Sequence, residues 1–153
     1  MTPEHRLAAL GLTLPPVPAP LAVYVPLRRH RDMVWLAGQG PLRDGRPLRT
    51  GKFGAELRLE DGAELARLTA LNALAVLKAE LGELSRIRAI LHLNGYVAST
   101  PDFLLHHLVI NGASELLAEV LGEAGHHARV AMGTNVLPMD IPLEISMVVA
   151  VDA

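Results

Sequence analysis

The sequence predicts an α+β domain: a single mixed β-sheet with two helices packed on one face. Three observations lead there. Two segments, residues 60–81 and about 102–122, read as helices, and five others read as strands. Strands precede, separate and follow the helices, an order that lets them share one layer. Neither an internal repeat nor a linker interrupts residues 21–153. A sheet with one apolar face must bury it against a second layer, and two helices are the economical cover.

Residues 2–10 fit a short helix, with Thr2 as cap, Pro3 in the first turn, and Leu7 and Leu10 on one side. Pro15, Pro16, Pro18 and Pro20 then stiffen the chain into an extended arm expected to cross a surface. Residues 1–20 are read as this helix and arm, and residues 21–153 as the domain. Leu21–Leu27 and Met33–Ala37 carry the first strand signals, with Arg28-Arg29-His30-Arg31-Asp32 as a solvated hairpin tip. Gly38-Gln39-Gly40-Pro41 breaks the second strand, and Arg43-Asp44-Gly45-Arg46 marks a further turn.

From Glu60 onward Leu68, Leu71, Leu74, Leu77 and Leu81 recur at helical steps, and Gly82 supplies a stop. Glu60, Asp61 and Glu64 sit near the start, where the helix dipole favours negative charge. Residues 87–97 alternate, placing Ile87, Ala89, Leu91, Leu93 and Val97 on a buried face opposite Arg88, His92, Asn94 and Tyr96. Thr100-Pro101-Asp102 opens the second helix, with a break anticipated near Asn111-Gly112. Ala128–Val136 and Leu143–Val151 are the last strands.

Composition narrows the function classes. Half of the chain is hydrophobic and 20% is charged, so part of the apolar surplus fits a subunit interface. A net charge of −2, a pI near 6.4 and sparse aromatics offer nucleic acid neither a basic surface nor a stacking platform. The absence of cysteine excludes disulfides, thiolate metal sites and thiol nucleophiles. No leader-like or bilayer-length apolar run is present, so a soluble cytoplasmic protein is expected. His106-His107 and His126-His127 are adjacent pairs, whose side chains diverge by about 100° on a helix. No H-E-x-x-H spacing occurs, and neither a metal nor a cofactor is expected.

Several motifs together are more specific. Tyr24 precedes a strand ending Trp35-Leu36-Ala37-Gly38-Gln39-Gly40-Pro41. Asp102-Phe103 is followed by Asn111, and Ala128-Arg129-Val130-Ala131 by Leu137-Pro138 and Leu143-Glu144-Ile145. This set resembles the RidA (YjgF) family of imine deaminases, whose older name is endoribonuclease L-PSP. The matching motifs are a tyrosine, an "SGQ-x-P" strand end, a "DF" with a helix-borne asparagine, and "P-A-R-S" followed by "L-P" and "E-I-E". The resemblance spans about residues 21–153, and the preceding arm points to a long-N-terminus subgroup. Three departures stand out: Ala37 replaces the family serine, Ala131 replaces a frequent cysteine, and the stretch from Phe103 to Asn111 is about three residues longer.

The resemblance implies a homotrimer with sites between subunits, the tyrosine side from one chain and the arginine side from its neighbour. It implies hydrolysis of 2-aminoacrylate-like enamines and imines to 2-oxo acids and ammonia. Arg129 would bind the substrate carboxylate, for which a planar guanidinium is suited. The backbone N–H of Gly38 would assist, and Glu144 would hold water and move protons. Tyr24, Ala37, Asn111 and Ala131 would complete the substrate-binding set.

Each residue also has a plainer reading: Arg129 and Glu144 as surface charges or as each other's partner, Tyr24 as packing, and Asn111 as a local helix bond. A hairpin centred at Leu137-Pro138 would set Ala131 opposite Glu144 and bring Arg129 within reach on the same face. A turn nearer Met139-Asp140 would separate them. Ala37 also motivates an alternative, a trimeric binder of small carboxylates or 2-oxo acids that has lost turnover.

Overall fold

The structure, a computed structural model, describes residues 1–153. Its main sheet contains β1 (Leu27–His30), β2 (Met33–Gln39), β5 (Ile87–Ala98), β6 (Ala128–Thr134) and β7 (Leu143–Val151), in the order β1-β2-β7-β5-β6. Every pairing is antiparallel except β5 with β6. A separate small hairpin joins β3 (Leu42–Arg43) to β4 (Arg46–Pro47) across Asp44-Gly45. The helices α2 (Gly62–Leu81) and α3 (His106–Leu121) pack on each other and on one face of the sheet. This is the expected α+β layer arrangement. No helix is long and apolar enough to cross a membrane.

The core lies between these layers. Val34, Leu36, Leu93, Val97, Leu143, Ile145 and Val149 face it from the sheet, while Leu74, Leu77, Ile110 and Leu117 face it from the helices. Gly82, at φ 82°, ends α2 as its sequence position anticipates. Buried Asn72 of α2 donates from Nδ2 to the carbonyls of Gly40 (2.9 Å) and Leu42 (3.0 Å). One amide thereby ties the strand end after β2 to the helix layer.

Several boundaries differ from the pattern reading, for physical reasons. Arg28-Arg29-His30 lies within β1 rather than in the tip, because the turn is the dipeptide Arg31-Asp32, with Arg31 at φ 55°. Leu21–Val25 is not a strand and finds no partner in the chain; Leu21, Val23, Tyr24 and Val25 are all exposed. In β5, register shifts at Arg88 and at Leu91 turn Ile90 inward and leave Leu91 exposed. A β-bulge resets the alternation on which a period-two reading depends.

The second helix begins at His106, not at Thr100-Pro101. The Thr100 hydroxyl instead bonds Asp102 Oδ1 at 2.6 Å and closes a turn. Nor does α3 break at Asn111-Gly112. A Cβ on Gly112 would stand 2.8 Å from the Ala63 carbonyl oxygen and 3.0 Å from Ala66 Cβ, so this glycine permits close approach of α2 and α3.

The N-terminal helix α1 (Pro3–Ala9) is capped by Thr2, whose hydroxyl accepts from the His5 N–H at 3.2 Å. Leu7 enters the core and Leu10 is exposed. Glu4 accepts from Lys78 Nζ at 2.8 Å and from the Leu84 N–H at 2.9 Å, anchoring the start of the arm to α2 and the turn after it.

Candidate functional site

The singled-out residues gather in two places. The first is a cavity of about 340 Å³ beside the end of β2, lined by Tyr24, Gly38, Leu42, Met139, Ile141 and Glu144, and closed on one side by the arm. Glu144 lies on the uncovered face of β7, paired with Tyr96 of β5. It is half-buried, and loss of hydration pushes its carboxyl pKa above the ordinary carboxylate range. A bulge at Ala37-Gly38 interrupts the β2–β7 register between Leu36 and Gln39, setting Gly38 against the Glu144 side chain. A Cβ on Gly38 would lie 2.4 Å from Glu144 Oε2, so glycine makes the room that the carboxylate occupies.

The turn Pro138–Asp140, whose Pro138 and Met139 also line this cavity, holds Met139 and Asp140 at φ 60° and 56°. Two adjacent non-glycine residues in the left-handed region store strain in a wall of the cavity. The Asp140 carbonyl accepts the Gly51 N–H at 3.1 Å, which helps to fix that turn. Ala37 adjoins the cavity through the bulge but does not line it.

The second place is a shallow depression of about 210 Å³ at the opposite sheet edge, formed by Asn111, Ser114, His126, His127 and Arg129 with Gly125. Arg129 pairs with Leu93, so its side chain rises on the helix-covered face. There Nη2 donates to Asn111 Oδ1 and the His107 carbonyl, each at 2.8 Å, and Nη1 donates to Ser114 Oγ at 2.9 Å. Three donors are thus committed to α3, and two of the guanidinium's five remain for a ligand.

The hydrogen bonds also define the state of His127. Its Nδ1 lies 2.7 Å from the Gly125 carbonyl oxygen, which can only accept, so Nδ1 carries the proton. In the neutral ring Nε2 then accepts from the Ser114 hydroxyl at 2.9 Å, and Ser114 Oγ accepts from Arg129. Burial holds the His127 pKa below the ordinary histidine range, and the nearby Arg129 charge acts in the same direction. The chain Arg129–Ser114–His127–Gly125 is therefore one oriented network.

Arg129 joins Asn111, and Ala131 lies two residues along β6 on the same face. Tyr24 and Gly38 join Glu144. The two groups do not meet within one chain. The hairpin that would have placed Ala131 opposite Glu144 does not form, because β5 lies between β6 and β7 and the two strands make no pairing. Arg129 and Glu144 consequently face opposite sides of the sheet.

Pattern reading missed Ser114, His127 and the arm's contribution to the cavity wall. A weak signal existed for the first two: Ser114 follows Asn111 at i+3 on a helix, and His127 precedes Arg129 by two on an extended segment. No group of three or more His, Asp or Glu side chains is arranged so that it could hold a metal ion.

A family model described as "YjgF/chorismate_mutase-like, putative endoribonuclease" matches residues 4–150. Protein TCP17 of Trypanosoma cruzi is 37% identical over 145 residues, covering 94% of this chain and 91% of its own. The crystal structure of Atu1372 from Agrobacterium tumefaciens, a protein of unknown function, is 44% identical. It superposes with a TM-score of 0.91 over 98% of this chain and 92% of that one. A "putative endoribonuclease" from Shewanella oneidensis MR-1 is 37% identical, with a TM-score of 0.95 over 99% and 100% of the two chains. E. coli TdcF, solved with bound serine, shares the fold alone, at 23% identity and a TM-score of 0.65 over 90% and 94% of the two chains.

Proposed function

This chain belongs to the RidA/YjgF family, and we propose that it hydrolyses enamine and imine intermediates to 2-oxo acids and ammonia, at sites shared between the subunits of a homotrimer. One observation carries the reading. The residues matching the family's motifs form two half-sites on opposite faces of the sheet, one holding an anion-binding guanidinium and the other a partly dehydrated carboxyl. Neither half suffices alone, and a second copy supplies what each lacks. Exposed Leu21, Val23 and Val25 beside the first half, and exposed Val130 and Met132 beside the second, offer apolar area for such an interface.

In this assembly the substrate carboxylate lies on Arg129, already held by Asn111, Ser114 and the His107 carbonyl. The imine carbon faces Glu144 of the adjoining subunit. Water adds to the C=N carbon, its proton passes to the nitrogen by way of Glu144, and the carbinolamine expels ammonia to leave the 2-oxo acid. A carboxyl with a raised pKa exchanges protons nearer neutrality than an exposed one, which is the property this step requires. Gly38 keeps its backbone open to the substrate beside that carboxyl.

The test is a coupled assay in which an amino-acid lyase or oxidase generates the intermediate and its decay is followed with and without this protein. Arg129→Ala and Glu144→Gln should each lower kcat/KM by 100-fold or more, and sizing should show a trimer. A monomer, or a fully active Arg129→Ala protein, overturns the assignment. The Ala37 substitution motivates a second reading, a trimeric carboxylate binder without turnover; saturable 2-oxo acid binding with no acceleration would favour it. The nuclease activity in the family's description has no electrostatic support in a chain of net charge −2.

A further inference from the structure

The arm of this chain does more than cross a surface. Pro18, Ala19, Pro20, Leu21 and Ala22 form one side of the cavity that holds Tyr24 and Glu144. The rest of the lining includes Leu42, Met139 and Ile141, and Glu144 is the only charged residue in it. The chain leading into this wall is anchored. Leu7 is buried, Leu12 and Leu14 pack on the core, and Glu4 is tied to Lys78 and the Leu84 N–H, while the prolines between remove backbone freedom.

At about 340 Å³ the cavity falls within the size range of small-molecule pockets, which starts near ~300 Å³. A 2-aminoacrylate molecule, with its carboxylate on the guanidinium and its C=N carbon at Glu144, has no side chain to place in that space. Leaving such an apolar cavity half-filled forfeits dispersion and hydrophobic contact.

Resting on the deaminase reading above, we infer that the preferred substrate is a 2-imino acid with a bulky apolar side chain, and that residues 18–22 are its specificity wall. The side chain enters between the arm and Met139-Ile141 while the reacting carbon stays at Glu144. The net step is R–CH2–C(=NH)–CO2⁻ plus water giving R–CH2–CO–CO2⁻ plus ammonia, with the side chain unchanged. That chemistry also identifies the class of reaction that must supply the substrate. β-Elimination from hydroxy or thiol amino acids yields short enamines. An intact branched or aromatic side chain on an imine requires two-electron oxidation of an apolar amino acid at Cα, the electrons passing to the supplying enzyme's own acceptor.

The experiment uses the full chain and a flavin-dependent amino-acid oxidase that generates imines in situ from leucine, phenylalanine and alanine. Leucine and phenylalanine imines should be hydrolysed with kcat/KM at least tenfold above the alanine imine, since each methylene in a fitted pocket is worth roughly tenfold or more. Ala22→Phe, at an exposed arm position, fills the cavity and should reverse that ratio. Equal efficiency on all three imines, or an unchanged ratio in Ala22→Phe, overturns the specificity wall and leaves the deaminase reading standing. If no imine is turned over, the deaminase reading fails. The pocket inference is then decided by calorimetry: tighter binding of 4-methyl-2-oxopentanoate than of pyruvate, lost in Ala22→Phe, supports it, and equal affinities refute it.

Discussion

Replacing Gly38 by alanine should separate activity from stability. The added Cβ would stand 2.4 Å from Glu144 Oε2, 2.8 Å from its Cδ and 3.2 Å from its Cγ, against ordinary contact from 3.4 Å. The carboxylate must therefore retreat by about 1 Å. Because it is the end of a flexible side chain, the backbone need not move, and an off-rotamer Glu144 costs about 1 kcal/mol. Alanine also restricts the unfolded chain, contributing about 0.4–1 kcal/mol in the other direction where φ is compatible. Gly38 is not among the residues with positive φ, so that condition holds. Net stability should change by less than about 1 kcal/mol. A misplacement of 1 Å at a reacting group costs on the order of 100-fold in rate. Thermal melting and imine decay on the same preparation measure both quantities. An unchanged kcat/KM, or a loss accompanied by a multi-kcal/mol drop in stability, would refute the argument that glycine is there for the carboxylate.

Substitutions at three other residues have defined outcomes. Glu144→Gln should melt higher than wild type at neutral pH while losing activity. The wild-type carboxyl has a raised folded pKa, so its contribution is present below the unfolded pKa and lost as pH rises through the folded one; the difference should vanish toward pH 4. His127→Gln should flatten the acid side of the stability profile. The depressed folded pKa of His127 gives stability that is full above about pH 6.5 and lost as pH falls, so urea midpoints at pH 7 and 5 should move less in the variant. The same variant should raise KM for carboxylate substrates more than it lowers kcat, because it loosens Arg129 through Ser114 without touching the reacting carbon. Gly112→Leu improves helix propensity yet should destabilise by about 3 kcal/mol, since its Cβ meets the Ala63 backbone; a midpoint above wild type would contradict the close-approach reading.

The sequence alone determined the layers and the family. Leucines at helical steps in α2, alternation in β7 and turn chemistry at Asp44-Gly45 are local, and local patterns survive into the fold. The motifs around Gly38, Arg129 and Glu144 were likewise visible as strings of residues. Their spatial relation was not. Which strand lies between β6 and β7 depends on the parallel pairing of β5 with β6, a long-range choice that leaves no mark in either strand's own pattern. That choice puts Arg129 on one face of the sheet and Glu144 on the other.

Bulges at Ala37-Gly38, Arg88 and Leu91 shifted faces that alternation alone would assign otherwise. The partners of Arg129 emerged only when α3 docked beside β6, because Ser114 and His127 are separated from each other by the turn after the helix. The arm became a cavity wall for the same reason: proline composition makes a segment stiff, and only its anchors at Leu7 and Glu4 aim it.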